Sequence, residues 1–121
     1  MAKDLQISFL LDFYGEMLTE KQREMITLYY NDDLSLAEIA EDQGITRQGV
    51  RDAIKRAEQQ LTDMEACLGL ARRFREMRDG LSQICDETLK IAEFNRQFVR
   101  SREIEESVSR IIDTAQRLNE S

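Results

Sequence analysis

The chain has 121 residues, the length of one domain or of one small domain with an extension. It contains no proline and five glycines, a composition that favours long uninterrupted helices over a sheet protein with many turns. It also contains no histidine, the commonest general base and metal ligand in proteins, so we predict no enzyme activity, no metal site and no cofactor.

The net charge is −7, and it is unevenly distributed along the chain. Residues 1–43 carry 3 basic and 10 acidic side chains, residues 44–78 carry 8 and 5, and residues 79–121 carry 6 and 9. The middle third is therefore net positive while both ends are net negative. For nucleic-acid binding this local surplus matters more than the acidic total.

The sequence shows no sign of export or of membrane insertion. The apolar run near the N-terminus is interrupted by Asp12 and has no cleavage-site pattern, and no run of about 18 apolar residues exists. We therefore expect a cytoplasmic protein. In that compartment Cys67 and Cys85, which lack the spacing of a metal or redox motif, are expected to be reduced core residues.

Two helices are predicted before residue 34. The first runs from about Asp4 to Tyr14 and carries too many apolar residues for one face, Leu5 among them, so we expect it to be mostly buried and to end near Gly15. Thr19 has the spacing of an N-cap with Gln22 three residues later, a capping box that opens helix two. That helix is expected to close near residues 31–33.

A second capping box, Ser35 with Glu38, opens helix three, and Gly44 is placed to end it in the left-handed backbone conformation. Thr46 then caps helix four. Ile45 and Val50 flank this cap at the spacing of a hydrophobic staple. The predicted buried stripe of helix four consists of Ile45, Val50, Ala53, Ile54, Ala57 and Leu61.

Beyond Leu61 the helical pattern continues toward Gly80, where a new helix is predicted to start. Two apolar registers follow: Ile84, Ile91 and Phe98, then Ile104, Val108, Ile111, Ala115 and Leu118. The polar residues 100–103 between them form a kink, a loop or a register shift. This heptad-like segment is predicted to be an interhelical seam, either within the chain or across a dimer, and we favour a homodimer.

The segment from Leu36 to Ala53 matches a helix-turn-helix. A small residue, Ala40, stands at the tight helix contact, Gly44 provides the turn, and only Gln43 occupies a position where an apolar residue is usual. In this motif the N-terminal part of the second helix enters the major groove of DNA. The predicted nucleic-acid-binding residues are Thr46, Arg47, Gln48, Arg51, Lys55 and Arg56.

These residues divide by role. Arginine pairs with guanine and glutamine with adenine through two hydrogen bonds, so Arg47, Gln48 and Arg51 are candidate base readers. Lys55 and Arg56 are expected to contact phosphates, and Thr46 with the free amides at the helix start could hold another phosphate.

Each basic feature also has a plainer interpretation. Exposed arginines on a helix are commonly a solvated face paired with nearby acids, and Asp52 stands four residues before Arg56. The cluster from Arg72 to Arg75 with Arg78 is either a second phosphate-binding strip or a charged face over a packed phenylalanine, and we favour the latter.

The run from Leu18 to Leu61, which reads LTEKQREMITLYYNDDLSLAEIAEDQGITRQGVRDAIKRAEQQL, resembles region 4 of bacterial sigma factors. It is more closely similar to the YlxM family of small sigma-4-like proteins. This resemblance implies a sigma-4-like helical domain, a DNA-binding role, and a link to the signal recognition particle pathway. The matching recognition-helix positions are Arg47, Gln48, Arg51, Lys55 and Arg56.

The sequence therefore predicts an all-α protein, a sigma-4-like helix-turn-helix bundle with a long C-terminal helical extension. Residues 1–64 are predicted to bind nucleic acid and residues 65–121 to serve as a packing or dimerisation element. The first functional hypothesis is a regulator that binds double-stranded DNA and modulates expression of the signal recognition particle pathway. The alternative is a protein- or RNA-interaction accessory of that pathway, in which the helix-turn-helix is structural.

Overall fold

A computed structural model describes residues 3–120, and within that range the chain is all-helical, as predicted. The α-helices are α1 (Leu5–Tyr14), α2 (Glu20–Tyr30), α3 (Leu36–Gln43), α4 (Arg47–Leu68), α5 (Leu70–Phe94) and α6 (Arg102–Glu120). A 3-10 turn, Gly15–Met17, follows α1, and a π-helical turn, Asn95–Val99, follows α5. No helix in this range is long and apolar enough to cross a membrane.

The chain divides into two compact units, one that ends at Arg72 and one that begins at Arg73. The functional division into residues 1–64 and 65–121 stays a prediction.

The helix starts of the first unit follow the capping signals in the sequence. Thr19 with Gln22 and Ser35 with Glu38 both form complete capping boxes, in which each side chain bonds the other residue's backbone N–H. These bonds satisfy amides that have no partner within the helix. The starts of α2 and α3 are therefore set by residues that lie within four positions of one another.

The first unit is organised around α4, because α1, α2 and α3 each pack against it. Within α4, Val50, Ile54, Ala57 and Leu61 are completely buried and Ala53 is half-buried, and apolar side chains from the other helices pack over them. The residues with no exposed surface are Ile26, Ile39, Val50, Ile54, Ala57 and Leu61.

Two apolar residues predicted to be buried are exposed. Leu5 is 87% exposed because it stands in the first turn of α1, beyond the reach of the core that holds Leu10 and Tyr14. Ile45 is 45% exposed because it lies before the first turn of α4, outside the stripe that begins at Val50. The start of α4 therefore presents an apolar side chain to solvent.

The break between α4 and α5 lies earlier than predicted. Gly69 ends α4 in the left-handed conformation with a φ of 63°, whereas Gly80 lies within α5 and starts no new helix. The expectation for the cysteines was also wrong in part. Both are free thiols, but Cys67 is exposed and Cys85 is half-buried, so neither is a core residue.

A network of hydrogen bonds holds the junction after Gly69. The Tyr14 hydroxyl donates to a Glu65 carboxylate oxygen at 2.7 Å and accepts from the Leu70 amide at 3.1 Å. The same carboxylate accepts from the amides of Ala71 and Arg72 at 3.1 and 3.0 Å. The hydrogen bond from Tyr14, helped by those two amides, holds the pKa of the Glu65 carboxyl below its usual range.

The second unit is an antiparallel hairpin of α5 and α6. The Asn119 side-chain amide donates to the Ser82 hydroxyl at 3.3 Å, which places the end of α6 beside the first half of α5. At the other end, the Asn95 side chain both donates to the Ser101 carbonyl and accepts from the Ser101 amide, each at 2.9 Å. The sequence left residues 100–103 as a kink, a loop or a register shift. In the structure they begin with a turn at Arg100, whose φ is 57°.

The hairpin has a small apolar interior. Between residues 73 and 120 the buried side chains are Thr88, Asn95, Val108 and Ala115, and two of these four are polar. Outside this interior, the guanidinium of Arg78 lies 5.9 Å from the centre of the Phe74 ring, the arrangement expected of a charged side chain that covers an aromatic one.

Candidate nucleic-acid interface

The helix-turn-helix corner is built from α3, Gly44 and the start of α4. Gly44 has a φ of 68°, the predicted left-handed conformation, and its amide donates to the Ala40 carbonyl. The Ile45 amide donates to the same carbonyl at 3.1 Å. The Thr46 hydroxyl then accepts from the Gly49 amide at 3.0 Å, which starts α4. The chain therefore turns from α3 into α4 within three residues, at the position that the sequence predicts.

Burial of one stripe of α4 directs the opposite face of its first half to solvent. Val50 and Ile54 are completely buried, so the positions on the other side of the helix face outward. Thr46 and four of the predicted binding side chains on α4 are exposed, and Arg51 is half-buried at the edge of the face. The exposed ones on α4 are Arg47, Gln48, Lys55 and Arg56.

The four cationic side chains of this face form no salt bridge with any residue in the range 3–120. Ion pairs elsewhere in that range include one from Lys3 to Asp33 and others between neighbours within α5, the π-helical turn and α6. The alternative that pairs Arg56 with Asp52 is not observed. Instead Asp52 accepts a hydrogen bond of 2.9 Å from the Gln48 side chain. The positive charge of the face is therefore free to interact with an anionic partner.

Two predicted residues are already engaged within the protein. The oxygen of Thr46 caps α4, and the side-chain amide of Gln48 is held by Asp52. A base or phosphate contact by Gln48 would compete with the bond to Asp52. The structure thus brings the six predicted residues together at one end of α4. Within residues 3–120, the side chains of the four basic ones have no hydrogen-bonded partner: Arg47, Arg51, Lys55 and Arg56.

Two features of the exposed surface were not predicted, namely the bond between Gln48 and Asp52 and the exposure of Ile45. Asp52 lies at the centre of the outward face, where it places a carboxylate among the basic residues. Its spacing of four from Gln48 was the signal that could have revealed the bond between them. Ile45 was predicted to lie in the core, but its side chain is exposed next to the Thr46 cap. It therefore adds an apolar side chain to the N-terminal end of this face.

The flank formed by α3 is acidic. Glu38, Glu41 and Asp42 are exposed on this short helix. Gln43 stands where a helix-turn-helix usually has an apolar residue. Its side-chain amide donates to Glu24 of α2 at 3.2 Å and to Asp42 at 2.9 Å, so it bonds to the acidic residues of this flank. The cationic face of α4 therefore lies next to an anionic surface.

Comparison with known proteins identifies the family of this chain. A family model described as "Putative helix-turn-helix protein, YlxM / p13 like" (UPF0122) matches residues 1–101. The chain belongs to the UPF0122 family. The match confirms the resemblance to the YlxM family that the sequence motifs indicated.

Individual UPF0122 proteins are similar over most of the chain. One from Desulforamulus reducens is 49% identical over 79 residues, which is 65% of this chain and 68% of the relative. One from Acetivibrio thermocellus is 37% identical over 118 residues, covering 94% of this chain and all of the relative. One from Thermoanaerobacter sp. strain X514 is 42% identical over 115 residues, 95% of each chain. The likeness thus extends beyond the helix-turn-helix into the second unit.

Proposed function

We propose that this UPF0122 protein binds double-stranded DNA with the first half of α4 in the major groove, as a cytoplasmic, non-catalytic regulator with a sigma-4-like fold. The observation that carries the proposal is that Arg47, Arg51, Lys55 and Arg56 lie on the outer side of the first half of α4 and form no salt bridge with any residue in the range 3–120. A helix-turn-helix presents this part of its second helix to base edges.

Position along α4 supports different roles for the basic residues. Arg47 and Arg51 are one turn apart in the first two turns, where side chains reach base edges, and each arginine can pair with a guanine. Lys55 and Arg56 lie one turn further on and are better placed for the phosphates at the groove edge. Thr46 caps the helix by accepting from the Gly49 amide, which leaves the amides of Arg47 and Gln48 at the helix start for a phosphate.

A salt titration tests the proposal. Fluorescence anisotropy with pooled duplexes is expected to give a linear fall of log K with log salt concentration, with a slope of about −0.9 per phosphate contacted. Lys55→Ala and Arg56→Ala should each make the slope less steep by about one contact. The triple variant Arg47→Glu, Arg51→Glu, Lys55→Glu should abolish duplex binding.

A control on another helix separates docking of α4 from general attraction, and its charge change equals that of the double variant Arg47→Glu, Lys55→Glu. Lys21 and Arg23 are exposed on α2, outside the helix-turn-helix, so Lys21→Glu with Arg23→Glu should leave most of the affinity intact. Unchanged duplex affinity in the triple variant of α4 would refute the proposal.

The acidic α3 flank favours a second candidate function. Glu38, Glu41 and Asp42 would repel a phosphate backbone that approaches α4 from that side. A protein surface that carries basic residues, or an RNA that contacts α4 alone, would avoid this repulsion. The second candidate is therefore an accessory of the signal recognition particle pathway that binds its RNA or GTPase component.

The two candidates differ in a direct binding comparison. Purified protein is titrated with pooled duplex DNA, with signal recognition particle RNA and with the particle's GTPase at the same low salt concentration. Tightest binding to duplex DNA selects the first candidate. Binding to the particle components without duplex binding selects the second.

A regulatory role through DNA would also suit a homodimer. Two copies would present two α4 helices to half-sites separated by one helical turn of DNA. Genes of the signal recognition particle pathway are the proposed targets, and a footprint upstream of those genes would support this assignment.

A further inference from the structure

Both helices of the second unit carry an apolar stripe that remains exposed. On α5 and the π-helical turn the stripe consists of Ile84, Ile91 and Phe98, and on α6 it consists of Ile104, Ile111 and Leu118. Within each stripe the residues are seven positions apart, the repeat of a helical interface. We call these six residues the hairpin face.

The two stripes lie on the same side of the hairpin. Ile84 and Ile91 stand four residues before and three residues after Thr88, which is buried between the helices. Ile104 and Ile111 stand in the same relation to the buried Val108. Each stripe is therefore rotated in the same sense from the interior of its own helix. Because the helices are antiparallel, equal rotations bring both stripes to one face.

The opposite side of the hairpin is different in character. The residues one position after the interior ones, such as Glu93 and Ser109, line a cleft of about 710 Å³ together with Arg96, Arg102 and Glu105. Charged side chains on this side are paired within the chain, Arg96 with Glu93 and Arg102 with Glu106. The hairpin thus has one face that carries paired charges and one face that carries the two apolar stripes.

The interior of the hairpin contributes little apolar burial. Its buried polar residues are satisfied locally, since Thr88 donates to the Ile84 carbonyl at 2.6 Å and Asn95 bonds Ser101 twice. Val108 and Ala115 are the buried apolar residues between 73 and 120. Two helices with so small a core do not bury enough surface to offset the entropy of ordering them, so a stable hairpin needs another surface against the exposed face.

We propose that the hairpin face binds the same face of a second copy of this chain, so that two hairpins form an antiparallel four-helix bundle. The face suits a copy of itself because each hairpin supplies two heptad stripes, and a bundle core needs stripes from four helices. The net charge supports this partner as well. Residues 73–121 carry nine basic and ten acidic side chains, a net charge of −1, so two hairpins do not repel each other.

The dimensions also fit a dimer. The 19 residues of α6 extend about 28 Å, and two helices side by side are roughly 20 Å wide, which gives a footprint of about 560 Å². Because side chains make the face uneven, its solvent-accessible area is larger than this flat footprint. It therefore approaches the ~800 Å² that each partner buries in a standard interface. The face contains no residue of α4, so the proposal holds whether or not α4 binds DNA.

A pair of matched substitutions tests the proposal. Ile91 belongs to the hairpin face and Leu89 lines the charged cleft, and each is 53% exposed on the same helix. We expect the full-length protein to sediment at twice the 14.1 kDa of one chain. Ile91→Glu should weaken the dimer by about 100-fold or more, since it places two carboxylates in the interface. Leu89→Glu should leave the mass unchanged.

A second variant protects the test against loss of folding. Ile111→Glu on α6 should give the same monomer, and circular dichroism should show that each monomeric variant keeps its helix content. A monomeric wild-type protein at high concentration would overturn the proposal, whether or not another protein binds the face. A dimer that survives both face substitutions, or one that Leu89→Glu dissociates, would also overturn it.

Discussion

Gly44 and Gly80 differ in backbone conformation, since Gly44 is left-handed and Gly80 is helical. A methyl group added at each position should therefore affect stability differently. Gly44 has a φ of 68° at the corner between α3 and α4, where any residue with a Cβ is strained. Gly80 is an interior residue of α5 with open space where a Cβ would be added. The same substitution should therefore have opposite effects at these positions.

Gly44→Ala is expected to lower the free energy of unfolding by about 1 kcal/mol, because alanine disfavours the left-handed conformation. Gly80→Ala is the matched control and should raise it by about 0.5–1 kcal/mol, since alanine is the better helix former. Urea unfolding followed by circular dichroism measures both. Equal signs for the two changes would contradict this account of the corner.

At the scale of elements, the junction between α4 and α5 depends on one carboxylate. Glu65 bonds the Tyr14 hydroxyl and the first amides of α5, which have no partner within the helix. Gly69 ends α4 in the left-handed conformation just before these contacts. The start of α5 is thus held by contacts with Glu65 as well as by the turn at the glycine.

The stability of this junction should depend on pH. The bond from Tyr14 lowers the pKa of Glu65, so its contribution is complete above the ordinary carboxyl pKa of about 4.3 and is lost as the pH falls through the lowered value. Glu65→Gln should therefore lower the urea midpoint at pH 7, and the difference from wild type should shrink in acid.

The control for the junction is Glu41→Gln on the exposed side of α3, which removes the same charge without touching the junction. Tyr14→Phe gives a further check, because loss of the hydroxyl removes the largest cause of the lowered Glu65 pKa. A Glu65 variant that follows the Glu41 variant at every pH would show that the junction network does not stabilise the fold.

At the scale of the whole molecule, stability should be linked to association. If the hairpin face pairs with a second copy, the folded dimer is favoured by mass action, and the thermal midpoint rises with protein concentration. Differential scanning calorimetry over a dilution series measures this effect. The Ile91→Glu variant should show a lower midpoint with no dependence on concentration, and a wild-type midpoint that is independent of concentration would contradict the link.

Much of the first unit could be predicted because its signals are local. The capping boxes at Thr19 and Ser35, the cap at Thr46 and the left-handed Gly44 each depend on contacts within about four residues. The cationic face of α4 followed from helical periodicity, since the buried positions of a helix define its exposed ones. These features required no knowledge of distant parts of the chain.

Features that depend on distant residues were not predictable in the same way. The sequence alone determined the all-helical class, the helix-turn-helix corner and which side of α4 is basic, because backbone conformation and side-chain direction within a helix are local properties. Only the tertiary structure decided that Tyr14 meets Glu65 across 51 positions, that Ile45 is exposed, and that two heptad stripes share one uncovered face. The physical reason is that the burial of a side chain and its hydrogen-bond partners depend on how whole helices pack together. The periodicity of one helix carries no information about its neighbours.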